Sequence, residues 1–137
     1  MARREVILIS VLTLGAVLVS FATACGSSPA PTRILNSIAV TPTAADAQNF
    51  PSGQVQFVAT GSFTMPPSPA PVPFTAPYSG SWLSSSPNIA TINPSGLAQC
   101  LSGTAGTVTI TAIASSNSAP GGAMSTAVSG TAALTCP

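Results

Sequence analysis

The residues able to do chemistry in this 137-residue chain are few: three cysteines (Cys25, Cys100, Cys136), five charged side chains (Arg3, Arg4, Glu5, Arg33, Asp46) and no histidine. General acid-base catalysis needs a titratable group beside the reacting atoms, and after the first 24 residues Asp46 is the only carboxylate side chain. A Ser-His-Asp set cannot be assembled without histidine, and the two carboxylates that normally flank a glycosidic bond are missing. Zinc and calcium need clusters of Cys, His or carboxylate oxygens. No catalytic residue, metal site or cofactor is therefore expected, and the chain reads as a non-enzyme. Charged residues make up 4% of the sequence, with a net charge of +1. No Lys/Arg patch exists to neutralise phosphates, so nucleic acid is not an expected partner.

The N-terminus carries an address. Arg3 and Arg4 precede an apolar run over residues 6–19, and a small-residue stretch then ends at Cys25. Basic start, apolar run and small residues before a cut are the parts of an export signal over residues 1–24. The run falls short of the roughly 20 mostly apolar residues of a membrane-spanning helix. Ala22-Thr23-Ala24-Cys25 resembles the bacterial lipobox, with Ala22 where such motifs usually carry Leu. That resemblance implies cleavage before Cys25 and acylation of its sulfur, which anchors the chain to a membrane; Ala22-Thr23-Ala24 equally satisfies the small-x-small rule of ordinary secretory cleavage at the same bond, which would leave a secreted protein with a free N-terminal cysteine. It also implies a bacterial cell-envelope location. In lipoproteins of diderm bacteria a residue other than Asp after the cysteine usually permits transfer to the outer membrane, so with Gly26 here the resemblance implies the outer membrane, on its periplasmic or surface face. With Cys25 acylated, Cys100 and Cys136 remain to pair in an oxidising compartment. They lack the close spacing and basic neighbours of a redox pair.

The elements that must position these residues follow from composition and alternation. Fourteen prolines and eleven glycines, with abundant Ser and Thr, disfavour long helices and suit short strands joined by turns. Residues 25–33 hold the acylated cysteine, prolines and serines but no large apolar group, and read as a tether with Arg33 on solvated surface. The domain is expected over residues 34–137. Residues 37–41 read as an edge strand stopped by Pro42. Residues 54–60 alternate Val55, Phe57 and Ala59 against polar positions, the period of a half-buried strand. Further strands are expected around Trp82, over 89–92, over 107–114 with Val108, Ile110 and Ala112 on one side, and over 126–136. Asn93-Pro94-Ser95-Gly96 reads as a turn, and Asp46 as part of a polar turn.

These segments resemble the bacterial immunoglobulin-like domain of group 2. The resemblance is carried by Ile38-Ala39-Val40-Thr41-Pro42, by the run from Gly53 to Gly61, by Trp82 followed by Pro87-Asn88-Ile89-Ala90-Thr91-Ile92, and by Ser95-Gly96-Leu97 with Gly106-Thr107-Val108-Thr109. It implies an all-β, Ig-like antiparallel β-sandwich of about seven strands, a type common in surface and envelope proteins. Val55, Phe57, Trp82, Ile92, Val108 and Ile110 are its expected core, Trp82 lying between the sheets. Two features depart from the family. Residues 64–77 form a proline-rich insertion with six prolines, expected as extended polyproline that adds no strand. Cys100 and Cys136 are not family positions.

The function these readings imply is a lipid-anchored envelope module for adhesion, protein interaction or envelope organisation, bound to the membrane through Cys25 and to an envelope protein or polysaccharide. Phe74 and Tyr78, in or beside the insertion, are the candidate contact residues. The alternative is a carbohydrate-binding module that stacks sugar on those two rings. The scarcity of charge also predicts weak self-association.

Overall fold

The computed structural model describes residues 32–116 and 126–137, which belong to one unit, Pro31–Pro137. Residues 1–24, read above as an export signal, together with Cys25 and most of the segment read as a tether, lie outside the described residues. Within them the chain is all-β, with two short 3-10 turns and no α-helix. Ten strands follow in order: β1 Leu35–Thr41, β2 Ala44–Asp46, β3 Gln54–Gln56, β4 Val58–Phe63, β5 Ala70–Pro71, β6 Gly80–Ser84, β7 Ala90–Ile92, β8 Leu97–Cys100, β9 Gly106–Ser115 and β10 Ala127–Cys136. They form three sheets, ordered β1-β4-β5, β2-β10-β9-β6 and β3-β8-β7. Every pairing is antiparallel except β2 on β10, which is parallel.

Alternation explains which residues face inward. In β9, Val108, Ile110, Ala112 and Ala114 are buried while the intervening threonines turn outward, as a period of two requires when one face meets a core. Val55, Phe57, Ala59 and Phe63 keep the same period along the second long segment. That segment is not one strand. β3 pairs with β8 and β4 pairs with β1, and the exchange occurs at Phe57, whose N–H leaves both ladders to donate to the Gly96 carbonyl at 2.8 Å. Gly96 is required there: its φ is +83°, and a Cβ would collide with the Phe57 carbonyl. The turn before it is held by Asn93 Oδ1, which accepts from the backbone N–H groups of Ser95 and Leu97, each at 3.0 Å.

One core cluster draws on all three sheets. Val55, Phe57, Trp82, Val108 and Ile110 are buried in it with Leu35, Val40 and Leu134. Ile92 is only half-buried against that cluster, because it ends β7, the outer strand of its sheet. At Gly130 the backbones of β10 and β1 come together so closely that a Cβ would strike the Ile38 carbonyl. Cys100 and Cys136 form a disulfide across 5.7 Å between Cα atoms, joining the ends of β8 and β10.

The insertion differs from its sequence expectation. Residues 64–77 do add a strand. Ala70 and Pro71 pair with Gly61 and Thr60 as β5, and Val72 is buried. Polyproline and β backbones are close in φ and ψ, and the apolar side chains at Ala70 and Val72 draw this one onto the sheet.

Candidate functional site

The one arginine of the described residues lies at the end where β1 begins. Arg33 comes immediately before that strand. Its Nε donates to the Met65 carbonyl at 3.3 Å and its Nη2 to the Pro67 carbonyl, while its guanidinium lies 3.5 Å from the centroid of the Phe63 ring. Tyr78 Oη donates to the Arg33 carbonyl at 2.9 Å, and the Tyr78 ring meets Phe63 edge-on at 5.6 Å. A planar guanidinium suits this double role of forked donor and stacking partner. Arg33 is therefore part of the domain and fixes the start of the insertion, instead of being a solvated tether residue.

Of the two candidate contact residues, Tyr78 is buried at 6% exposure with its hydroxyl engaged, so it offers no ring to a ligand. The physical reason is the Arg33–Phe63 stack, which gives the ring an apolar neighbour and the hydroxyl an acceptor. Phe74 is half-buried and packs edge-on against Trp82, with centroids 5.6 Å apart. The two rings thus belong to different contacts, Tyr78 to Phe63 and Phe74 to Trp82. The flat aromatic platform expected of a sugar-binding module is not formed by this pair. Trp82 is 8% exposed and serves as packing.

Asp46 has a local structural task. Its Oδ1 accepts from the Gln48 N–H at 3.0 Å and caps the 3-10 turn Ala47–Asn49. Among the described residues no three His, Cys, Asp or Glu side chains lie together in a metal-binding group. The other end of the domain carries the disulfide and a shallow cavity of about 320 Å³ lined by Phe50, Leu101, Gly103 and Thr104. Phe50 and Leu101 are exposed apolar side chains, which the sequence reading did not single out. Nothing in their local sequence sets them apart, since their exposure is decided by how the two turns meet.

No protein-family model matches the chain, and neither does any curated protein. Fold and side-chain chemistry together define an all-β, disulfide-bonded, nearly uncharged unit.

The Arg33 contacts predict a measurable effect. Arg33→Ala removes two charge-assisted hydrogen bonds and a cation-π contact, and is expected to lower stability by about 1 to 3 kcal/mol. Limited proteolysis should then cut first within residues 64–69, and an unchanged cleavage map would show that Arg33 does not hold that segment.

Proposed function

We propose that this protein is a non-catalytic, lipid-anchored module of the bacterial cell envelope, mediating adhesion, protein interaction or envelope organisation. The observation that carries the reading is the order of parts in the sequence: an export-type leader, a lipobox-like stretch ending at Cys25, a short Pro/Ser tether and then the β unit. Acyl chains on Cys25 would hold the protein at a membrane, each buried methylene contributing about 0.8 kcal/mol. The capping role of Asp46 supports a non-catalytic reading, because it engages the one carboxylate side chain that follows the leader. An unknown envelope protein or polysaccharide is the proposed partner, with the outer membrane as location. Weak self-association belongs to the same reading, since charge repulsion between copies is almost absent.

The finer fold assignment proposed is an Ig-like sandwich. β1, the bent segment β3 with β4, β6, β7, β8, β9 and β10 would be its seven strands, with β2 and β5 as additions. The parallel docking of β2 on β10 and the sheet order β2-β10-β9-β6 support this.

Cys25→Ser tests the anchoring. The leader's Ala22-Thr23-Ala24 still allows ordinary secretory cleavage, so the variant is expected to leave the membrane fraction for the soluble fraction. If cross-linking on intact cells captures an envelope partner with the native protein, the variant is expected to lose it. A Cys25→Ser protein that stays with the membrane would overturn the proposal.

A further inference from the structure

We propose that residues 69–73 act as a donor-free edge cap that closes β4 to pairing with a strand from a second copy of this chain. β4 spans six residues, and β1 pairs with all of them along one edge. Without the insertion its other edge would present unpaired backbone groups from Ala59 to Phe63, the kind of template that invites edge-to-edge association. The insertion occupies that edge. The Val72 N–H donates to the Ala59 carbonyl at 3.1 Å, Ala70 sits opposite Gly61, and the Phe63 N–H donates to Ser68 Oγ at 2.8 Å.

The sequence of the cap is Pro69-Ala70-Pro71-Val72-Pro73. In an antiparallel pair, successive residues direct their backbone polar groups alternately toward and away from the neighbouring strand. Because Val72 faces Ala59, Ala70 also turns its backbone groups toward β4. The alternate residues Pro69, Pro71 and Pro73 therefore occupy the positions whose N–H would point outward, and proline has none. All three are exposed, whereas Ala70 and Val72 turn into the core. A strand arriving from outside would find carbonyls to donate to but no N–H for its own carbonyls, and would leave those unpaired. Soluble proteins commonly guard such edges with charged residues, lysine above all. This chain has no lysine, and after the leader only Arg33 and Asp46 are charged. Arg33 is spent on fixing the start of the same segment through the Met65 and Pro67 carbonyls.

The test uses the exported chain carrying Cys25→Ser, studied by sedimentation velocity over a concentration series. The triple variant Pro69→Thr/Pro71→Thr/Pro73→Thr restores the three outward donors. It is expected to self-associate about tenfold or more tightly than the parent, at any salt concentration. A second triple variant with Lys at the same positions restores the same donors but adds charge, and is expected to sediment like the parent. The proposal is overturned if the Thr variant sediments like the parent, or if the Thr and Lys variants associate alike. It is equally overturned if both lose the parent's far-UV circular dichroism, because the prolines would then be holding the fold instead of guarding its edge.

Discussion

Phe57→Ala is expected to lower the unfolding free energy by about 3 to 5 kcal/mol, the usual range for truncating a buried aromatic to alanine. Phe57 is 1% exposed and is, among the described residues, the largest of the fully buried side chains. It also stands where the chain passes from the sheet of β3 to the sheet of β4, with its N–H held by the Gly96 carbonyl at 2.8 Å. Removing the ring therefore opens a cavity at the junction of two sheets, where neighbouring backbones are too constrained to collapse into it. Gly96 cannot shift inward, because the Phe57 carbonyl and the Trp82 ring already crowd it. Against a total stability of about 5 to 15 kcal/mol for a domain of this size, such a loss leaves a marginal fold. Denaturant unfolding should show a lower midpoint with an unchanged slope. Val58→Ala, next in sequence but 46% exposed, should stay within about 0.5 kcal/mol of the parent. Similar losses from the two variants would refute the role given to Phe57.

Removing the disulfide should have an effect of the same order. Cys100 and Cys136 are separated by 36 residues, and in the chain-entropy model a loop of that length contributes about 4 kcal/mol by restricting the unfolded chain. The bridge ties the last residue of β8 to that of β10, two strands of different sheets that share no ladder. Arg33 and Asp46 are the domain's only charged side chains, so at most one ion pair between side chains could compensate. The double variant Cys100→Ala/Cys136→Ala is expected to lose that amount. Treating the parent with a thiol reductant should lower its melting temperature by a matching interval, and no response to either treatment would refute the stapling role.

What could be read in the sequence was what period-two alternation encodes. Residues 54–60 and 107–114 each bury one face, so Val55, Phe57, Val108 and Ile110 announce themselves by position alone. The identity of the partner strand is a different matter. Alternation runs unbroken through Phe57 although the pairing changes there from β8 to β1, because side-chain facing and strand partnership are independent properties. β8 was not legible as a strand, since Leu97-Ala98-Gln99-Cys100 has one half-buried leucine and a buried alanine to mark it. Arg33 gave no signal either, as its partners lie about thirty residues away in sequence at Phe63, Met65 and Pro67. The same holds for Tyr78: its neighbours in sequence are turn residues, while its neighbours in space are Phe63 and the Arg33 carbonyl. The insertion did carry its information openly, in prolines at every second position. Composition suggested polyproline, and only the register against β4 reveals which edge those prolines face.

The central claim, that this β unit is displayed from a lipidated Cys25, is tested most directly by the intact mass of the native protein recovered from the membrane fraction, with fragmentation of its N-terminal peptide. The account predicts a chain that begins at Cys25 and carries diacylglycerol on the sulfur. A chain that begins at Cys25 with a free thiol, or one that retains residues 1–24, would contradict it.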